Sequence, residues 1–138
     1  MTEAKEVLYT VIAYAKMWPR EIFDTDLDLV RSLPILGRAG VYVLYRDDLP
    51  YYVGQATKLR KRLYAHAVMP GTRYFNFWNF FSVFVAEDKT QRNQIEAILI
   101  AAMPTANSAK PRLEKENLPV KVCELVRQIR RRRANPPK

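Results

Sequence analysis

Two short apolar and aromatic runs, Gly40-Val41-Tyr42-Val43-Leu44-Tyr45 and Tyr51-Tyr52-Val53-Gly54, stand on either side of a polar connection, Arg46-Asp47-Asp48-Leu49-Pro50. Aromatic and β-branched runs bounded by turn-forming residues predict a β-hairpin. Directly after it, Leu59, Leu63 and Ala67 recur every fourth residue, with Arg62 and His66 beside them. That spacing predicts a helix whose apolar stripe meets a core and whose neighbouring stripe lies at the core's edge. The hairpin runs begin and end in glycine, which lets backbone or ligand approach closely because no Cβ intervenes. A site is therefore expected where the hairpin meets this helix.

The remaining periodicities predict further elements. Val7, Leu8, Val11, Ile12 and Ala15 form a helical stripe over residues 3–16, ending near Trp18-Pro19 because a residue before proline disfavours the α region. Leu27, Val30 and Leu33 predict a short helix capped by Asp24 or Thr25 and stopped by Pro34. Pro70-Gly71 marks a turn. The run from Tyr74 to Val85 follows, its second half a buried strand by composition. Its rings, interleaved with Arg73, Asn76 and Asn79, suit stacking on unpaired bases, with Tyr74 and Trp78 as the residues to test. Core packing is the preferred reading, since rings at this density usually fill a small domain.

Residues 89–103 predict a helix capped by Asp88 or Thr90, with Ile95, Ile98, Leu99 and Ala102 as its core stripe and Arg92 on its outer face. Glu96 falls near the buried edge of that stripe. A carboxylate there calls for a partner, either a metal ion or an arginine such as Arg62, because an uncompensated buried charge is expensive. Leu118, Val122, Leu125, Val126 and Ile129 then predict an amphipathic helix running into Arg130-Arg131-Arg132-Arg133. One or two of these arginines suit a helix C-terminus. Four exceed that need, and phosphate contact is the favoured account.

Composition narrows the classes. At 138 residues with 49% apolar residues the chain suffices for one compact domain with extensions. Its formal charge of +9 points to an acidic partner such as nucleic acid. Residues 110–138 hold ten Lys or Arg against three Glu, a net +7, and no Asp or Glu occurs between Leu49 and Ala86. The candidate site thus lies in a positive field. One cysteine, Cys123, and one histidine, His66, exclude a disulfide framework and a Cys/His zinc site within one chain. No apolar run long enough to span a membrane appears, and the charged start is not a secretory signal, so a cytoplasmic protein with no membrane partner is expected.

Gly40-Val41-Tyr42, Tyr52-Val53-Gly54 ten residues on, Arg62, His66, Glu96 and Asn107 together resemble the GIY-YIG nuclease family over about residues 39–109. The resemblance implies an α/β fold, a three-stranded, mainly antiparallel sheet flanked by helices. Residues 1–38 would be a helical N-terminal extension, 39–109 the nuclease core, and 110–138 a basic C-terminal helix and tail. It implies catalytic roles for Tyr42, Tyr52, Arg62, His66 and Glu96. Arg62 would hold the scissile phosphate, a role its planar fork suits, and Glu96 would bind one divalent ion. Magnesium fits a site with few carboxylates, and manganese would substitute. Tyr42 is implied as general base and Tyr52 as positioning water or phosphate. A phenol with its usual pKa of about 10 is a poor base at neutral pH, so Tyr42 needs a nearby cation. His66, one turn after Arg62, is implied to hydrogen-bond the first tyrosine or the phosphate, and Asn107 to orient a phosphate or its loop. Gln55 stands where some members carry a lysine implied to assist the base. That departure shifts weight to His66, with Lys58 as a partial substitute.

The reading is a divalent-metal-dependent endonuclease acting on DNA rather than RNA, with limited sequence specificity, as a monomer or weak homodimer. Gly54, Lys58, Lys61, Asn107, Arg130 and Arg131 are the expected substrate contacts. The alternative is a non-catalytic nucleic-acid-binding module using the basic helix and the aromatic run.

Overall fold

A computed structural model describes residues 11–69, 77–107 and 113–136. The expectations for residues 1–10, Pro70-Gly71, Arg73, Tyr74 and Asn76 lie outside the described residues. The elements are β1 (Ala13–Pro19), α1 (Leu27–Arg31), β2 (Gly40–Arg46), β3 (Leu49–Ala56), α2 (Leu59–Val68), β4 (Phe80–Val85), α3 (Lys89–Ala102) and α4 (Val120–Ala134), with single 3₁₀ turns at Arg20–Asp24 and Pro34–Gly37. The sheet is antiparallel throughout, in the order β1-β4-β2-β3.

It therefore has four strands, not three. The extra one lies in the segment expected to be a helix over residues 3–16. From Ala13 onward the chain is extended and pairs with β4, Ala13 opposite Val85 and Ala15 opposite Val83. The physical reason is a period of two: Ala15 is buried while Tyr14 and Lys16 are exposed. Small residues at 13 and 15 also match the helical template, which conceals the alternation. The strand is interrupted at Met17, whose φ of 55° departs from the β region and whose N–H donates to Ser82 Oγ at 3.0 Å. Residues 11–38 are thus not a purely helical extension. Phe23, Val30 and Leu36 from this segment join Ala15 in the main core.

Strand periodicity sorts side chains to two faces. Tyr42 and Leu44 point to the face covered by α2 and the N-terminal turns, together with Leu59, Leu63, Ala67, Trp78 and Phe81. Val41, Val43 and Val53 point to the other, where Ile95, Leu99, Ile100 and Met103 of α3 cover them. The sheet is the middle layer of three, which is why β2 is apolar at nearly every position.

The hairpin turn is shorter than the sequence suggested. β2 runs to Arg46 and β3 starts at Leu49, leaving Asp47-Asp48, with Asp47 at φ 57°. Asn79 secures that turn: its Oδ1 accepts from Asp47 N at 2.7 Å and its Nδ2 donates to Asp47 Oδ1 at 2.9 Å. Trp78 is 1% exposed, so it is a core ring and not a stacking platform.

α3 is rotated from its expected orientation. Asp88 caps it, accepting from Gln91 N at 3.0 Å. Arg92, expected on the outer face, is buried, its guanidinium donating to Ala86 O at 3.1 Å and Glu87 O at 2.7 Å. Ile98 and Ala102, expected in the core, are exposed. The inward stripe is Arg92, Ile95, Leu99 and Met103, which the carbonyl partners of Arg92 make possible at the exit of β4.

Gly40 shows how tightly the sheet is packed. A Cβ there would lie 2.3 Å from the Phe84 carbonyl oxygen, a backbone atom that cannot move aside, whereas one at Gly37 meets nothing within 4 Å. Gly40→Ala is expected to cost about 1–3 kcal/mol of stability. Gly37→Ala is expected to stay within about 0.5 kcal/mol. Urea denaturation followed by tryptophan fluorescence measures both, and equal losses would contradict this account.

Candidate functional site

Tyr42 and Gly54 pair across the hairpin. An ideal Cβ at Gly54 would lie 2.4 Å from both the Cζ and the hydroxyl oxygen of Tyr42, so the phenol occupies the place of the missing side chain. Gly54 is accordingly buried beneath the ring. Its contribution is the room it gives Tyr42, and it offers little surface to a substrate.

From that slot the Tyr42 hydroxyl reaches His66 Nε2 at 2.9 Å. Tyr52, two residues before Gly54 and on the same face, completes a cluster. Ring centroids lie 6.1 Å apart for Tyr42 and Tyr52, 5.7 Å for Tyr42 and His66, and 5.9 Å for Tyr52 and His66. The Tyr52 hydroxyl is close enough to act on the Tyr42 phenol. His66 owes its position to α2, whose Leu59, Leu63 and Ala67 stripe is fully packed and turns His66 inward with it.

Electrostatics tie the cluster to charged neighbours. Burial, first, and then the Tyr52 hydroxyl hold the Tyr42 phenol well above the usual tyrosine range; the Arg62 guanidinium opposes them and the Glu96 carboxylate adds to them. Arg62 is therefore close enough to act on the phenol but does not lower its pKa below the normal value, as a tyrosine base would need. His66 is lowered to about 4, by burial and then by Arg62. At neutral pH the pair is a protonated phenol and a neutral imidazole, whose Nε2 lone pair can accept the phenol proton.

Glu96 approaches from the opposite face of the sheet. Residues 53 and 55 of β3 point toward α3, and Gln55 Nε2 donates to Glu96 Oε2 at 2.5 Å and to Asn93 Oδ1 at 2.7 Å. The carboxylate's partner is thus an amide and not Arg62; the ion pair among the described residues is Arg38 with Glu87. Gln55, which the sequence marked only as a departure from the lysine of some GIY-YIG members, is the residue that aims Glu96. Its position directly after Gly54, on an alternating strand, was the available signal.

Among the described residues no cluster of three or more His, Cys, Asp or Glu is close enough to enclose a metal ion. A single half-buried carboxylate with an amide beside it suits a hard ion that keeps most of its waters, as magnesium does, and excludes a dedicated protein cage.

Arg62, Lys58 and Lys61, with Ala56, Thr57 and Ala65, line an open concavity of about 450 Å³ where β3 passes into α2. Lys58, Lys61 and Arg62 are exposed, and three cations around one hollow form a ready receptor for phosphate oxygens. Asn107 stands apart from this hollow. Its Nδ2 donates to Val53 O at 2.7 Å and its Oδ1 accepts from Val53 N at 3.0 Å, while Ala106 N donates to Tyr51 O at 2.7 Å. The side chain thus closes the edge of β3 and holds its own loop. Arg130 and Arg131 lie on α4, which has no buried residue and at most glancing contact with any other element. No helix among the described residues is long and apolar enough to cross a membrane.

No protein-family model matches the sequence, and no curated protein does. Among solved structures the chain is similar to the GIY-YIG N-terminal endonuclease domain of UvrC from Thermotoga maritima bound to its catalytic divalent cation, magnesium. Identity is 24%, the TM-score is 0.43, and the match covers 56% of this chain and 91% of that one. A tyrosine-to-phenylalanine point mutant of the same domain gives 23% identity over the same shares, also with a TM-score of 0.43.

The buried imidazole makes a prediction about pH. Because the folded pKa of His66 lies below its ordinary value of 6.5, the folded state favours the neutral ring. Its contribution to stability is complete above about pH 6.5 and is lost as pH falls toward 4. The single histidine should titrate by NMR with a midpoint well below 6.5. His66→Gln should remove part of the loss in urea midpoint between pH 7 and pH 4. A midpoint at or above 6.5 would contradict the burial.

Proposed function

We propose that the chain is a divalent-metal-dependent endonuclease that hydrolyses phosphodiester bonds, acting on DNA with limited sequence specificity. The observation that carries the reading is the meeting of the Tyr42–His66 hydrogen bond, Tyr52 and Arg62 from one face of the sheet with the Gln55-held Glu96 from the other, beside a cationic hollow. Binding alone would require the hollow but not the buried phenol–imidazole pair.

In this reading Arg62 takes the scissile phosphate in a two-pronged contact, and Lys58 and Lys61 hold flanking phosphates. Glu96 is the residue that would hold a magnesium ion, which when bound polarises the phosphate and stabilises the leaving oxygen. The water's proton leaves along the tyrosines. Tyr52, the more exposed ring, takes it while passing its own proton to Tyr42, and Tyr42 passes its proton to His66 Nε2. A new P–O bond forms to the water oxygen, the bond to the leaving oxygen breaks, and that oxygen takes a proton from solvent. Phosphate binding assists the relay. Its negative charge offsets Arg62, the second cause of the lowered His66 pKa, and so raises the basicity of the imidazole at the moment it is needed. No large insertion separates Tyr42, Tyr52, Arg62, Glu96 and Asn107, which supports limited sequence specificity, and Arg130 and Arg131 add affinity through backbone phosphates.

Cleavage of labelled single-stranded, double-stranded and branched DNA, with and without magnesium, tests the proposal. Arg62→Ala and Glu96→Ala are each expected to reduce the rate by about 100-fold or more while DNA is still bound. Wild-type protein that binds every substrate and cuts none with magnesium or manganese would leave a non-catalytic nucleic-acid-binding module in its place.

Gln55 allows a finer test. Gln55→Ala should raise the magnesium concentration needed for half-maximal cleavage by about 10-fold, because residues that orient a ligand affect metal affinity on that scale. An unchanged magnesium requirement would show that the amide does not position Glu96.

A further inference from the structure

β3 carries an irregularity beside the site. Leu44 pairs with Tyr52 and Tyr45 with Pro50, so Tyr51 is one residue in excess on its strand. A strand in regular register would send Tyr51 to the face opposite Tyr52. A bulge re-aims the extra side chain, and Tyr51 instead packs with Tyr52 against the core on the α2 side. There its ring lies against Phe77, with centroids 5.9 Å apart and planes 9° from parallel. Tyr51 is half-buried, while Phe77 is 53% exposed. Core packing accounts for the inner ring of this stack and leaves the outer one open to solvent.

The stack lies in line with the cationic hollow. α2 begins beside Ala56 at the hollow and runs back along β3, since Arg20 donates both to Ala67 O at its far end and to Trp78 O, next to Phe77. Along that line stand Arg62, then the Tyr52–His66 contact, then Tyr51 and Phe77. From Ala56 to Tyr51 is at most about 17 Å at the rise of a strand, a span of a few nucleotides. Charge distinguishes the two ends. Lys58, Lys61 and Arg62 line the hollow, whereas the hairpin turn held by Asn79, two residues from Phe77, carries Asp47 and Asp48. Phosphate is favoured at the first and repelled at the second. An aromatic face without a cation suits the uncharged part of a nucleotide, its base. We propose that Phe77, backed by Tyr51, is a stacking platform for an unpaired nucleobase whose strand passes its phosphate through the hollow. The proposal rests on the nucleic-acid reading of that hollow and narrows it. A base inside a duplex cannot lay its face on a protein ring, so the preferred substrate carries a single-stranded segment at the site.

Binding of the full chain to a fluorescein-labelled single-stranded DNA oligonucleotide, and to the same sequence as a blunt duplex, tests it without divalent metal, so that nothing is cut. Phe77→Ala and Phe77→Leu are each expected to weaken single-strand binding by about 10-fold and to leave duplex binding within about twofold. Phe77→Trp is expected to bind the single strand at least as well as wild type. Leucine keeps apolar bulk without a ring, so a loss with alanine that leucine repairs marks packing alone and overturns the proposal. Contact is read directly by ultraviolet cross-linking of 5-iodouracil oligonucleotides to the wild type, expected at Phe77 or Tyr51. Equal losses on both substrates, no loss on either, cross-links confined to other residues, or a wild type that binds no single strand each overturn it. None of these readouts needs cleavage. A chain that stacks a base and never cuts keeps the platform and loses the nuclease reading.

Discussion

Tyr42 fills the space where a Cβ at Gly54 would stand, with phenol atoms 2.4 Å from that position. Most of the candidate site follows from this one steric exchange. Because the ring lies over the neighbouring strand, its hydroxyl emerges at the α2 side and meets His66. Because Gly54 yields its side-chain volume, the strand stays regular and Gln55, the next residue, points to the opposite face and meets Glu96. A side chain at 54 would displace the phenol and with it the contacts on both sides.

Burial then decides the protonation states. The ring that fits the slot is lifted well above the usual tyrosine range and the imidazole it touches is lowered to about 4, both chiefly by desolvation. Arg62 acts on both groups as well: it favours the phenolate and disfavours the imidazolium. The pair rests with its proton on oxygen and a lone pair on nitrogen.

The edge of the sheet is managed separately from the site. β3 is an outer strand, and its exposed backbone at Tyr51 and Val53 is taken up by Ala106 and Asn107. The closure ends at Val53, just before Gly54 and the cationic hollow. Asn107 thus serves the site by protecting the strand that carries it. The other outer strand, β1, is supplied by the N-terminal segment and completes the sheet beside β4.

The hairpin, the helices α2, α3 and α4, and the candidate residues Tyr42, Tyr52, Arg62, His66 and Glu96 were legible from spacing and from the family resemblance, because local periodicity and close-spaced motifs lie within reach of one another along the chain. Three features were not. The strand at Ala13–Pro19 was masked by alanines that fit both periods, and only pairing with β4 decides between them. The rotation of α3 depends on Arg92 finding the carbonyl oxygens of Ala86 and Glu87, a solvation that no pattern of apolar residues announces. The link from Gln55 to Glu96 joins residues on two elements, and its geometry exists only after β3 and α3 pack against each other. The sequence by itself determined which residue types could perform chemistry and on which elements they ride. Tertiary structure decided which of them meet and in which protonation state, because both depend on how deeply each group is removed from water.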